Sequence, residues 1–208
     1  MDSREYARMH ALETDYWWFS GRRAIIASLL GTLPCRASCH LLDIGCGTGA
    51  NLPMLRRFAG KDGRVTAVDF SPLALQFARD HLSDEKDAAR LSMLQGDALH
   101  LPFEDASFDV VTMLDVLEHL CDDGRALSEV HRVLKPGGAL VLSVPAYQKL
   151  WSAHDEALHH FRRYEYWTLK KVLQDGGFEI PLQSFAMSLM PPIAWLWRKL
   201  ILPFQPKR

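Results

Sequence analysis

The sequence predicts an α/β protein built on a doubly wound, mostly parallel sheet. Three observations lead there. Short apolar runs alternate with stretches of helical periodicity through the middle of the chain, the first run closes on a glycine-rich loop, and the next three runs end in aspartates. Apolar runs of this length suit strands buried on both faces. Their alternation with helices implies right-handed crossovers between parallel neighbours. In such sheets ligands sit outside the carboxyl ends of the strands, at the switch point.

Leu41–Gly45 (LLDIG) is the first predicted strand. Gly49–Ala59 follows as a helix, with Leu52, Leu55 and Phe58 at helical spacing. Arg64–Asp69 (RVTAVD) is β-branched and forms the second strand. Ser71 is an N-cap and Pro72 a first helical residue, so a helix is predicted over Pro72–His81. Leu91–Asp97 and Phe108–Asp115 supply strands three and four. Asp123–Val133 carries Leu127 and Val130 and stops before Lys135-Pro136-Gly137-Gly138, ahead of a fifth strand over Ala139–Pro145. Thr168–Asp175 is a further helix, and Gly176-Gly177 leads into a sixth strand near Phe178–Met187. No β-branched seventh strand follows; Pro191-Pro192 and an atypical Trp-rich C-terminal helix stand in its place.

The 208 residues read as one domain. It divides into an N-terminal helical lid (1–40), a ligand-binding core (41–145), a loop, helix and sixth strand (146–188) and an apolar C-terminal helix (189–208). A chain of this mass buries about 70% of its unfolded surface on folding, enough for one core. Hydrophobic residues at 48% and charged residues at 24% exclude a disordered or collagenous chain. With 24 Lys+Arg against 25 Asp+Glu, no global field draws a nucleic acid. Four cysteines are too few for a disulfide scaffold. The first residues carry acids where a signal peptide needs bases, and no unbroken apolar run of about 20 residues exists to span a bilayer. The expected compartment is the cytoplasm.

The end of the first strand reads Leu42-Asp43-Ile44-Gly45-Cys46-Gly47-Thr48-Gly49. Glycines at alternate positions let the chain turn sharply and a ligand approach the main chain. The spacing is GxGxG rather than the dinucleotide GxGxxG, and Asp43 would repel a pyrophosphate. Both points disfavour a nicotinamide dehydrogenase. Asp69, at the end of the second strand, can accept ribose hydroxyls, and Asp97, in Gly96-Asp97-Ala98, can meet an amino group of a base. Each alone could be a turn residue; on successive strand ends they form a constellation.

The segments LDIGCGTG, VDFSPLALQFAR, LQGDALHLPFEDASFDVVTMLDVLEHL and EVHRVLKPGGALVLSVP, in this order, resemble class I S-adenosylmethionine-dependent methyltransferases. The resemblance covers about half of the chain. It implies a Rossmann-like fold in which Asp43 and the loop Gly45, Cys46, Gly47 and Gly49 hold the methionine part of S-adenosylmethionine. Asp69 would hold the ribose, Asp97 and Ala98 would flank the adenine, and Phe70 would pack on a ring face. Leu114 and Asp115 would face the sulfonium. Methyl transfer is an in-line displacement, so it needs orientation and a base rather than a protein nucleophile.

Two flanking segments are candidates for lid and acceptor site. Tyr16-Trp17-Trp18-Phe19-Ser20-Gly21-Arg22-Arg23 resembles N-terminal segments of a subset of these enzymes and is read as a lid, with Phe19 and Arg23 nearest the cofactor. The stretch after the fifth strand gathers Tyr147, Trp151, His154, His159, His160, Arg162, Arg163 and Tyr164. Its HDxxxxHxRRY pattern resembles the same subset. It is read as the wall of an acceptor pocket, with His154 or His160 as general base. His119, after the fourth strand, is a third candidate base or a core histidine. The spacing of Asp115, Glu118 and His119 also resembles ubiquinone-type O-methyltransferases that bind a divalent ion, but a helical turn splays three such ligands, and no metal is assigned. Cys35-x-x-x-Cys39-His40 lacks a second ligand pair at zinc spacing. The reading is therefore methylation of a small molecule, at oxygen, with nitrogen or carbon acceptors and a non-catalytic cofactor-binding scaffold as alternatives.

Phe185–Phe204 is apolar almost throughout, broken by Pro191-Pro192 and by Arg198-Lys199. A helix apolar on every side must be buried, against protein within the chain or in a homodimer, or in a membrane surface with its bases at the headgroups. Deleting the chain beyond Met190 separates these. Loss of melting temperature or of dimer mass marks burial against protein, and loss of liposome flotation marks peripheral membrane contact.

Overall fold

The computed structural model describes residues 3–13, 16–34, 38–80 and 90–186. The elements run α1 (Ser3–Glu13), α2 (Trp17–Gly31), β1 (His40–Ile44), α3 (Leu52–Ala59), β2 (Arg64–Asp69), α4 (Pro72–Asp80) and β3 (Leu91–Gln95). After these come β4 (Phe108–Leu114), α5 (Asp123–Val133), β5 (Leu134–Ser143), α6 (Ala153–Ala157) and α7 (Tyr166–Asp175). The strands form one sheet in the order β3-β2-β1-β4-β5, and every pairing is parallel. The order reverses between β1 and β4, so the chain ends leaving those two strands diverge.

Local chemistry explains the boundaries. The Ser71 hydroxyl accepts from the Ala74 N–H at 3.3 Å, so Ser71 caps α4 and Pro72 opens it. The Asp122 carboxylate accepts from the Arg125 N–H at 2.8 Å and caps α5. The sheet separates two apolar layers. On one side α2 and α3 bury Leu30, Leu52 and Leu55 against Leu41 and Val65. On the other, Leu127, Val130 and Val133 of α5 pack on Leu42, Val111 and Met113.

Two expectations are corrected. β5 starts at Leu134, directly after α5, rather than at Ala139. Lys135–Gly138 join the strand through a register shift, and a Cβ at Gly138 would stand 3.0 Å from the Asp109 carbonyl oxygen. The sixth strand is absent among the described residues, and the sheet has five strands. Phe178 and Ile180 instead spend their apolar side chains against the α5 layer, and Pro181 lacks the N–H that a ladder needs. The C-terminal helix over 189–208 and Cys35 lie outside the described residues. No described helix is long and apolar enough to cross a membrane.

Leu127 is fully buried at the centre of the α5 layer. Leu127→Ala should cost roughly 2–5 kcal/mol, read as a lower urea midpoint with an unchanged slope.

Candidate functional site

The glycine loop leaves β1 under tight control. Gly45 sits at φ +69°, and a Cβ there would fall 2.3 Å from a Val116 methyl carbon, so any other residue would be strained and would have to displace Val116. The Gly45 N–H donates to the Val68 carbonyl at 2.7 Å, and the Gly47 N–H donates to Asp69 Oδ2 at 2.8 Å. Asp69 Oδ1 accepts from the Ser71 N–H at 2.8 Å. Asp69 therefore ties the loop to the end of β2, and each of its oxygens keeps a second acceptor direction. Cys46 is buried; burial pushes its thiol pKa up, which makes it inert packing inside the loop.

Asp43 lies beneath the loop and is buried. Its Oδ1 accepts from the Thr112 hydroxyl at 2.6 Å, while Oδ2 has no hydrogen-bond partner. Burial pushes the Asp43 carboxyl up to about 7; the Thr112 bond opposes this and the Asp69 charge adds to it. An orphaned buried carboxylate oxygen under a glycine cradle suits a cationic ligand. Farther along the same edge, Asp97 accepts the Leu99 N–H at 2.9 Å, Ala98 is buried and the Phe70 ring is 74% exposed. A loop for a charged head, a carboxylate with free lone pairs and an exposed ring fit S-adenosylmethionine in that order.

The N-terminal helices cover this edge. The Met9 methyl would stand 3.4 Å from a Gly47 Cβ, and the Thr48 hydroxyl bonds the Glu13 carboxylate. Phe19 is half-buried in the first turn of α2. Arg23 donates to the Glu13 carbonyl at 2.6 Å and to Ser20 at 3.3 Å, so it fastens α2 to α1. The arginine that reaches the strand ends is Arg22, which forms an ion pair with Asp115. Its placement was legible in outline: Arg22, Ile26 and Leu30 follow at helical spacing, and the last two are buried. Asp115 adopts φ +56° beyond buried Leu114, and its carboxylate also accepts the Ser143 hydroxyl at 2.9 Å.

The loop after β5 folds around Asp155, which is wholly buried. Its carboxylate receives Arg163 Nε at 2.6 Å and Nη2 at 3.0 Å, the Ser152 N–H at 2.9 Å, and His160 Nδ1 at 3.0 Å. Burial alone would raise this carboxyl; the Arg163 and His160 bonds outweigh it and hold Asp155 below the usual carboxylate range. The Phe161 N–H donates to the Glu118 carbonyl at 2.8 Å, which pins the loop onto the turn after β4. His160 and His119 thereby meet edge to face, with ring centroids 4.5 Å apart.

The other candidates of this loop divide. Arg162 bonds Asp123 at 2.8 Å and the Cys121 carbonyl at 2.8 Å, and the Tyr164 hydroxyl donates to Asp123 at 2.9 Å. These two anchor the loop to α5. Tyr147, at φ +62°, stacks on Phe185 with centroids 5.2 Å apart, and Trp151 is half-buried. His154 and His159 point to solvent, and His160 is the loop histidine held inside. Glu118 is buried, and neither of its carboxylate oxygens has a hydrogen-bond partner. Nothing in the sequence marks Asp155 as a hub or Glu118 as unpartnered, because both depend on which loop lands on which strand end.

Comparison with known proteins agrees with this geometry. Residues 42–142 match the family model described as a methyltransferase domain. Over 177 residues the chain is 31% identical to the ubiquinone/menaquinone biosynthesis C-methyltransferase of Vibrio parahaemolyticus, covering 71% of this chain and 68% of that protein. It is 40% identical over 114 residues to the 27-O-demethylrifamycin SV methyltransferase of Amycolatopsis mediterranei, covering 55% of this chain and 41% of the relative. The chain spans about half the length, or less, of several curated relatives it matches. Among solved structures, the protein in complex with the Haloferax volcanii Trm112 methyltransferase activator superposes with a TM-score of 0.69 at 27% identity, over 94% of this chain and 89% of that one.

A carboxyl raised by burial favours the folded state fully below its unfolded value of 3.8, and this contribution is lost as pH rises through about 7. Asp43→Asn carries no such titration. In the ligand-free protein, the wild type should lose roughly 2–3 kcal/mol relative to Asp43→Asn between about pH 5 and pH 8, measured by urea unfolding at both pH values.

Proposed function

Because the chain belongs to the class I S-adenosylmethionine-dependent methyltransferases, we propose that it methylates a hydroxyl group of a small molecule bound between the turn after β4 and the loop after β5. The observation that carries this reading is the cluster of buried Glu118 with half-buried His119 and His160, near Asp115 at the switch point of the sheet. S-adenosylmethionine supplies an electrophilic methyl group on a sulfonium.

The protein's own residues supply position and charge. Asp43 and the glycine loop hold the cationic amino-acid end, and Asp69 accepts the ribose hydroxyls with its remaining lone pairs. Asp97, Ala98 and Phe70 bound the adenine. Leu114 and Asp115 then lie at the end of β4, where the sulfonium would sit. A hydroxyl oxygen held beside Leu114 and Asp115 would face the methyl group in line with the sulfonium that leaves with the bonding electrons. The hydroxyl proton is drawn off at the His119–His160 cluster. Tyr147, in the loop after β5, stacks on Phe185, and the outer faces of the pair suit a planar acceptor.

Oxygen as the acceptor atom rests on the cluster of basic groups beside the reacting methyl. The relatives named above include one O-methyltransferase and one C-methyltransferase. Mass spectrometry and NMR of products from a panel of hydroxylated aromatics decide between the two; a new methyl on ring carbon overturns the oxygen assignment.

Two variants separate the halves of the site. Asp69→Ala should weaken S-adenosylhomocysteine binding by about ten- to hundredfold, since a charge-assisted bond contributes roughly 1.5–3 kcal/mol. His160→Ala should leave that affinity within about twofold, less than 0.5 kcal/mol, and abolish turnover. Calorimetry reads the first effect and product formation the second.

A further inference from the structure

We propose that Arg22 is a positioning residue that cancels the charge of Asp115 beside the cofactor's sulfur and so sets how strongly the site prefers S-adenosylmethionine over S-adenosylhomocysteine. The two ligands differ in charge at one atom, a positive sulfonium in the first and a neutral thioether in the second. An uncompensated charge at the end of β4 therefore acts on one of them and hardly on the other. The inference rests on the cofactor reading given above.

The pair is built from three elements. Asp115 follows β4 directly, at φ +56°. Its N–H donates to the Ser143 carbonyl at 2.9 Å, and its Oδ1 accepts the Ser143 hydroxyl at 2.9 Å. Its other oxygen, Oδ2, is left to Arg22. Arg22 reaches over from α2, and its Nη2 also donates to the Ser143 hydroxyl at 3.5 Å. The end of β4, the end of β5 and the lid helix thus fix one guanidinium against one carboxylate. Their side chains are 22% and 36% exposed, so the pair is screened less than one on open surface.

The neighbours leave this pair in charge of the local field. Burial, helped by the Asp115 charge, pushes the Glu118 carboxyl well up. Burial and the adjacent His160 push His119 down to about 4. Both are neutral near pH 7, which leaves Asp115 as the charged side chain of the turn Asp115–His119. Asp115 raises Glu118 while Arg22 lowers it, so the two charges act on this turn with opposite sign.

The balance matters to a methyl donor. A bare carboxylate would stabilise the reactant sulfonium, and that attraction fades as sulfur becomes neutral. Binding energy that is lost on the way to the transition state raises the barrier. A bare guanidinium would instead repel the reactant. The pair avoids both.

Calorimetry on the full chain, with no acceptor present, measures the dissociation constants of both ligands, and their ratio is the readout. Arg22→Gln should shift the ratio about tenfold toward S-adenosylmethionine, or about 1.4 kcal/mol. Asp115→Asn should shift it about tenfold the other way; asparagine tolerates a positive φ, so the turn is kept. The double variant should return to within about threefold of the wild type, as should Arg22→Lys, which keeps the charge. A lid merely loosened by the loss of Arg22 lowers both affinities together and leaves the ratio unmoved. An unmoved ratio in Arg22→Gln, or shifts of the same sign in the two single variants, overturns the proposal. A wild type that binds neither ligand overturns the cofactor assignment and this proposal with it, an outcome distinct from an unmoved ratio.

Discussion

Between β1 and β4 the crossovers leave in opposite directions, and the strand ends cannot cover one another. This reversal in the order β3-β2-β1-β4-β5 opens a space at the carboxyl ends of the strands, where sheets of this kind bind ligands. The glycine loop hangs from one side of the gap and the turn at Asp115–His119 from the other. The two sides touch where a Gly45 Cβ would collide with Val116. A side chain there would be strained at φ +69° and would have to displace the Val116 side chain, so the glycine serves the close approach of these two segments as well as a ligand.

Asp155, Asp69, Asp43 and Glu118 are all buried, and their hydrogen bonding grades them. Asp155 is saturated by an arginine, a histidine and Ser152, and it organises a loop. Asp69 accepts two backbone N–H groups and retains capacity, which lets it hold the loop and still receive a ligand. Asp43 has one oxygen bonded and one orphaned. Glu118 has neither bonded. Burial raises the last two carboxyls, Asp43 to about 7, so the fold favours their neutral forms in place of an unpaired buried charge.

The site is closed by two straps from opposite ends of the chain. Arg22 on α2 grips Asp115, and the Phe161 N–H grips the Glu118 carbonyl. Both straps therefore hold the same backbone segment, the turn that follows β4. Arg162 and Tyr164, read from sequence as acceptor contacts, serve this strapping by fixing the far end of the loop to Asp123.

Local pattern determined the strands β1 to β4, the helix starts at Pro72 and Asp123, the glycine loop and the aspartates at strand ends, because each depends on residues adjacent in sequence. Apolar runs, caps and positive-φ glycines carry their own physics. The sequence reading failed where the decision was long-range. β5 begins at Leu134, which pairs with Phe108 ahead of a register shift, and the segment at Phe178 packs as an irregular chain against the apolar surface of the α5 layer. Tertiary structure alone chose Arg22 over Arg23, turned His160 inward while His154 and His159 face solvent, and left Glu118 buried without a partner. Those outcomes depend on which loops the sheet brings into contact, and no spacing along the chain encodes a hydrogen bond that is missing.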